Sequence, residues 1–159
     1  MKTVRDVLEK QQLKDIPSIS AEASVYAAIT LMSERHLSSL IVLEKKQLVG
    51  AVHERDCLEK ILLWGQRSRE TRVKEIMRKN PMTVRPSDSL ETCIIYMLTE
   101  QVSQLPVLEK GGVLGVITTE DILKAGLKRP GIVPQAKPSM DSKPVNNQDD
   151  RSWSGRSLN

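Results

Sequence analysis

Displaced along itself by 65 residues, this chain falls on its own second half. Ser24 to Asp56 aligns without a gap on Ser89 to Asp121, and eleven of those 33 positions are identical. They are Ser24/Ser89, Ile29/Ile94, Met32/Met97, Ser38/Ser103, Leu40/Leu105, Val42/Val107, Leu43/Leu108, Glu44/Glu109, Lys45/Lys110, Gly50/Gly115 and Asp56/Asp121. Nine of the remaining 22 pairs exchange one apolar residue for another. Upstream, Val4-Arg5-Asp6-Val7-Leu8 falls on Val73-Lys74-Glu75-Ile76-Met77 at an offset of 69, so the first copy carries four extra residues around Gln11 and Gln12. A unit of roughly 45 residues has little interior to bury, whereas two of them packed about a pseudo-twofold axis make one core.

Each copy shows the same succession of periods. Thr83-Val84-Arg85-Pro86 reads as a short strand that its proline closes, because proline cannot continue a ladder. Asp88 followed by Glu91 predicts a capping box, and Leu90, Ile94, Met97 and Leu98 then recur at helical spacing, as Val25, Ile29 and Met32 do in the first copy. Leu105 to Leu108 and Val113 to Ile117 predict two strands joined by a hairpin through Lys110-Gly111-Gly112, where glycine supplies positive φ. The first copy has Glu44-Lys45-Lys46-Gln47 at that place, which predicts a looser turn. Second helices over Glu54 to Leu63 and Thr119 to Ala125 stop at Gly65 and Gly126.

The unit is therefore β-α-β-β-α, and the fold class α/β (α+β), with two small sheets facing each other across a cleft. The expected division is residues 1–66, 67–127 and a tail, 128–159. Prolines at 130, 134, 138 and 144 and the polar run Arg151 to Arg156 predict a disordered tail, in which Trp153 is the one residue suited to a short partner-binding motif.

Composition narrows the function classes. With no Phe, two Trp and two Tyr, the core is aliphatic and stacking platforms for single-stranded nucleic acid are absent. The net charge of +4 is spread over interleaved acids and bases, with no basic block to track a phosphate backbone, so nucleic acid is not an expected partner. Cys57 and Cys93 lie in apolar segments without zinc-ligand spacing, and are expected as buried free thiols. No apolar run reaches membrane-spanning length, and Met1-Lys2-Thr3-Val4-Arg5-Asp6 turns polar too soon for a secretory signal, so a cytoplasmic protein without membrane contact is expected. Two histidines and scattered acids propose no catalytic arrangement, and no phosphate loop of the Walker type is present; the chain is not expected to be an enzyme.

Gly115-Val116-Ile117-Thr118-Thr119-Glu120-Asp121 places a hydroxyl where a strand gives way to a helix, and a carboxylate one turn later. Free amides at a helix start stabilise a phosphate, to which Thr118 can donate, while Asp121 can accept from a ribose diol. By spacing alone the same pair is also a capping box, worth about 1 kcal/mol with no ligand. The spacing serves both readings.

Val73-Lys74-Glu75-Ile76-Met77, Thr83-Val84-Arg85-Pro86, Ser103-Gln104-Leu105-Pro106-Val107 and Gly115 to Asp121 together resemble the CBS repeat, named after cystathionine beta-synthase; the doubling resembles a Bateman module. The likeness covers about residues 1 to 127. It implies a cleft ligand of the adenosine class (AMP, ADP, ATP, other adenosyl compounds or NAD), with Thr118 near phosphate and Asp121 on ribose. It further implies Thr83, Val84, Pro86, Leu105 and Pro106 around the adenine, and Ile16, Ile19 and Leu40 contributed from the other repeat to the Gly115–Asp121 site. It implies no obligatory cofactor, a homodimer joined through helical faces, and an output passed to an effector protein. The first repeat departs from the pattern: Gly50-Ala51-Val52-His53-Glu54-Arg55-Asp56 has His53 where Thr or Ser is usual, and Ile19-Ser20-Ala21 lacks the proline. Asp56 can still hold a ribose, Arg55 can reach a phosphate, and His53 is either a pH-sensitive ligand group or a histidine at a helix start. The two sites are expected to be unequal. Two non-catalytic functions follow, a ligand sensor and a ligand-free dimerisation or interaction module.

Overall fold

The computed structural model describes residues 1–11 and 15–127, so the expected tail, 128–159, lies outside the described residues. The first copy opens with α1 (Val4–Leu8), followed by β1 (Ser18–Ile19), α2 (Val25–Arg35), β2 (Ser39–Glu44), β3 (Gln47–His53) and α3 (Glu54–Leu58), whose last turns widen to π over Glu59–Leu63. The second has α4 (Val73–Ile76), β4 (Arg78–Lys79), α5 (Leu90–Glu100), β5 (Gln104–Glu109), β6 (Gly112–Thr118) and α6 (Thr119–Lys124). Mixed helices and strands in this doubled order bear out the α/β class.

The repeat is reproduced in detail. α2 and α5 start from Ser24 and Ser89, whose hydroxyls accept from the N–H groups of Ala27 and Thr92, both at 3.1 Å. They end in the left-handed conformation at His36 and Gln101, with φ 53° and 54°. The capping box expected from Asp88 and Glu91 is not formed. Ser89, one residue on, takes the cap, and Asp88 accepts instead from the Arg85 N–H at 2.7 Å in the preceding turn. Leu98, read as a core position, is 55% exposed; Leu90, Cys93, Ile94 and Met97 fill the buried stripe and leave it outside.

β1 pairs parallel with β2, which pairs antiparallel with β3, and β3 antiparallel with β4. In the second half β5 and β6 form the hairpin, and the strand expected at Thr83–Pro86 is reduced to one parallel bridge, Val84 to Val107, where β1 stands in the first. Both hairpins carry an irregularity at the same place, Val42/Leu43 and Val107/Leu108. Their turns are also alike, contrary to the looser one expected in the first copy. Lys45 and Lys46 take φ 47° and 64°, as Lys110 and Gly111 take 51° and 80°, and Gly112 already belongs to β6. A fixed strand register forces the lysines there, at a cost of about 1–2 kcal/mol per residue.

The interior is two clusters, not the single core that the repeat suggested, and each cluster borrows from the other copy. Val4 and Val7 of α1 pack with Val84, Leu90, Leu105, Val107, Ile117 and Ile122 of the second copy. Val73 and Ile76 of α4 pack with Val25, Ala28, Leu40, Val52 and Cys57 of the first. Main-chain bonds double this exchange. Val4 and Arg5 N–H donate to Asp88 and Pro86 carbonyls at 3.0 and 2.9 Å, while Val73 and Lys74 N–H donate to Ala23 and Ala21 carbonyls at 2.8 and 2.9 Å. Near the pseudo-axis Ser38 meets its own equivalent, Ser103, with 3.0 Å between hydroxyl oxygens. Gln104 Nε2 donates to the carbonyl and hydroxyl oxygens of Ser39, its equivalent, at 2.9 and 2.7 Å. Cys57 and Cys93 are buried and free, and burial pushes both thiols up to about 11.

The repeated glycine has a steric reason. A Cβ on Gly50 would lie 2.8 Å from the Arg78 carbonyl oxygen and from Met77 Sδ, whereas one on Gly115 would meet Leu8 Cδ2 at 3.2 Å. Leu8 and Met77 are themselves repeat equivalents, so in each half the glycine makes room for the exchanged segment. Gly50→Ala must displace backbone and is expected to cost about 1–3 kcal/mol in urea unfolding. Gly115→Ala, which meets only a side-chain methyl, should cost clearly less.

Candidate functional site

The end of β6 and the start of α6 form one wall of a cleft of about 450 Å³. The opposite wall comes from the first copy, with Ile16 and Pro17 before β1, Leu37 after α2, and Leu8, Glu9 and Gln11 at and beyond the end of α1. Of the residues expected here, Gly115, Thr118, Asp121 and Ile16 are brought together. Leu40 is fully buried in the first cluster, and Ile19 packs against that cluster rather than lining the cleft. Val84 is buried in the second cluster, the Pro86 carbonyl receives the Arg5 N–H, and Thr83 lines neither of the paired clefts.

Asp121 makes the cap that its spacing allows. Its Oδ2 accepts from the Thr118 N–H at 2.9 Å and from Thr118 Oγ1 at 2.7 Å, and its own N–H donates back to Oγ1 at 3.2 Å. The Thr119 N–H is bonded to the Ser103 carbonyl at 2.9 Å. Asp121 Oδ1 has no hydrogen bond among the described residues, and Asp121 lines the cleft. Gln11 Nε2, on the same cleft, is buried without a hydrogen-bond partner among those residues.

The pseudo-axis generates a second cleft, of about 190 Å³, from His53, Ala51, Ser39, Val102 and the segment Arg78 to Met82. Leu105 and Pro106 line this one, not the Asp121 cleft. Asp56 is not among its lining residues, and the Asp56 carboxylate is already taken. Arg78 grips Asp56 with two prongs, Nε to Oδ2 at 2.7 Å and Nη2 to Oδ1 at 3.1 Å, and this bidentate pair raises the Arg78 pKa. His53 Nδ1 lies 3.7 Å from Asp56 Oδ2 and is buried without a hydrogen bond. Arg55 turns away from this cleft toward Gln101, at 3.5 Å, and lines a separate cavity of about 430 Å³ between α3, α5 and α6. Sequence reasoning missed Arg78, Glu9, Gln11 and Leu37. The offset of 69 marks Glu9 and Arg78 as equivalents, but nothing local signals that the exchange carries them into the clefts.

Burial lowers the His53 pKa from 6.5, with the Arg78 charge acting the same way and Asp56 opposing. The fold thus favours the neutral ring. Its contribution is intact above about pH 6.5 and is lost as the pH falls below that, where the unfolded chain takes up a proton that the folded one resists. His53→Gln is expected to lessen the fall in Tm between pH 6.5 and about 5, measured by thermal unfolding.

Among the described residues no helix is long and apolar enough to cross a membrane, and no group of three or more His, Cys, Asp or Glu is placed to hold a metal. The family model for the CBS domain matches residues 3–63 and 73–128. The chain is 28% identical over 111 residues to the mitochondrial CBS domain-containing protein CBSX3 of Arabidopsis thaliana, covering 67% of this chain and 54% of that protein. It thus spans about half the length of that relative, and 22% of the inosine-5'-monophosphate dehydrogenase of Korarchaeum cryptofilum, to which it is 32% identical. Among solved structures, a CBS-domain protein from Burkholderia ambifaria superposes with a TM-score of 0.73 at 31% identity, covering 83% of this chain and 98% of that one. CBSX2 in complex with AMP superposes with a TM-score of 0.64 at 25% identity, covering 77% and 94%. Two matches to one family model, lying on two halves that fold alike and exchange their first helices, make this chain a member of the CBS domain family with two CBS repeats.

Proposed function

We propose that this chain is a non-catalytic regulatory module which binds an adenosine-bearing ligand in the Asp121 cleft and signals its occupancy to a partner protein. The observation that carries this reading is the cleft itself, which Asp121, with one carboxylate oxygen not used by the cap, lines together with apolar residues drawn from both repeats. Leu8, Ile16, Pro17, Leu37 and Val116 offer a surface for a purine ring. Asp121 Oδ1 accepts from the ribose diol while Oδ2 keeps the cap. The likeness to CBSX2 in its AMP complex supports the ligand class. A ligand spanning walls from both copies binds differently as those walls approach or part, which is the requirement for shifting an equilibrium. A cytoplasmic setting belongs to this reading.

The helical face favours a second copy of the chain as a partner. Leu58, Leu62, Leu63 and Trp64 on the first copy and Ile95, Leu98 and Leu123 on the second are large apolar side chains left exposed. In sedimentation experiments the chain is expected to run as a homodimer, and Leu98→Glu with Leu123→Glu to run as a monomer. A monomeric parent chain removes the homodimer.

For the ligand, calorimetric titration with adenosine and AMP is expected to show micromolar binding to at least one of them, about −8 kcal/mol. Asp121→Asn keeps the side-chain shape and lessens its acceptor strength, and should weaken that binding about tenfold or more with the circular dichroism unchanged. Absence of binding by the parent chain would leave an interaction module whose cleft is empty and whose Thr118 and Asp121 are a helix cap.

A further inference from the structure

The two clefts are equivalent by sequence and opposite in charge. Glu9 and Arg78 occupy the same place in the repeat, directly after the equivalent residues Leu8 and Met77. The helix exchange sends Arg78 to the wall of the smaller cleft, where it holds the Asp56 carboxylate with two prongs. It sends Glu9 to the cleft of Asp121, so that a carboxylate stands where the other half has a guanidinium.

The rest of the Asp121 cleft follows the same sign. Among the described residues of its wall, Arg5 is the one basic residue, against Glu9, Asp15, Glu109, Glu120 and Asp121. Arg5 is itself held by Glu109 at 2.7 Å. Asp15 and Glu120 are partly neutralised by Arg35 and Lys124, at 3.6 and 2.7 Å, but Glu9 and Asp121 have no ion pair among the described residues. Two of the donors that a phosphate would seek at the start of α6 are also engaged, Thr119 N–H with Ser103 and Asp121 N–H with Thr118. What the wall does offer is a buried amide without a partner among the described residues, Gln11 Nε2, suited to a neutral acceptor such as a purine nitrogen or a ribose oxygen.

Given the adenosine reading of the Asp121 cleft, on which this rests, we infer that Glu9 and Arg78 set both the number and the charge of the ligands. One ligand binds per chain, and it is an adenosine compound whose 5′ substituent is uncharged or cationic rather than a phosphate. The acidic wall repels a phosphate dianion and attracts a sulfonium or ammonium group, an effect that salt weakens because Glu9, Asp15 and Glu120 are exposed. The smaller cleft, about 190 Å³ in volume and with the Asp56 carboxylate already engaged by Arg78, takes none.

The test is calorimetry at low ionic strength with three probes: adenosine, AMP, and S-adenosylmethionine as the cationic adenosyl compound. Expected are one site per chain, adenosine and S-adenosylmethionine each binding at least tenfold more tightly than AMP, and an S-adenosylmethionine affinity that falls as salt is raised. Glu9 is exposed, so Glu9→Gln and Glu9→Arg should leave the fold intact. The first should narrow the gap between adenosine and AMP about threefold or more, and the second should reverse it. AMP binding as tightly as adenosine, or a gap unmoved by Glu9→Arg, would overturn the charge selection while the adenosine reading stands. Two sites per chain would overturn the exclusion of ligand from the smaller cleft. No binding by any of the three defeats the underlying reading as well.

Discussion

Val4 and Val73 are each fully buried, and each is buried in the half of the molecule that most of its own repeat does not build. That reciprocal exchange is what the remaining structure depends on. A unit of this size holds too few apolar residues to close over its own sheet. The short helix that completes each cluster arrives from the other copy and is fastened there by main-chain hydrogen bonds at both ends of the pseudo-axis. Neither cluster is complete without both copies, so the described part of the chain folds as one unit although its sequence reads as two. The same exchange makes the clefts, because the chain leaving α1 and the chain leaving α4 form the outer walls over β6 and β3.

How much of this was legible depends on what kind of information fixed it. Everything local to a repeat was readable, because side chains repeated at 65 residues impose repeated periods. The two long helices, both hairpins, and the glycines that end the second helices follow from residues near them in the chain. Errors arose where one local rule competed with another. Ser89 outranked Asp88 as a cap because its hydroxyl lies three residues before the Thr92 amide, and Asp88 then served the preceding turn. Lys45 and Lys46 adopted the glycine-like turn because the register that pairs Glu44 with Gln47 left only two residues to close it. Contacts between distant segments were not readable at all. The expected Leu105 and Pro106 line the smaller cleft, and Leu40 none, because the pseudo-axis decides which strand faces which cleft and no periodicity records it.

The conflict between a helix cap and a ligand site dissolves at Thr118 and Asp121, since a carboxylate has two oxygens and the cap uses one. A cap also fixes the side chain in one rotamer before any ligand arrives, which lowers the ordering cost of binding. The corresponding pair in the first repeat has no such reserve. His53 makes no hydroxyl cap, its Nδ1 is unpartnered, and both oxygens of Asp56 are spent on Arg78.

Duplication thus produced two similar frames and then divided their work. The Arg78–Asp56 pair ties β4 to the start of α3, and Arg78 also lines the cavity among α3, α5 and α6 that opens on the helical face. That half is braced from inside. In the other half α1 is fastened by main-chain bonds and by Arg5 to Glu109, but Glu9 just beyond it has no ion pair among the described residues. On the reading proposed above, occupancy is sensed where the chain leaves a carboxylate open and is passed on through the half in which Arg78 already supplies the counter-charge.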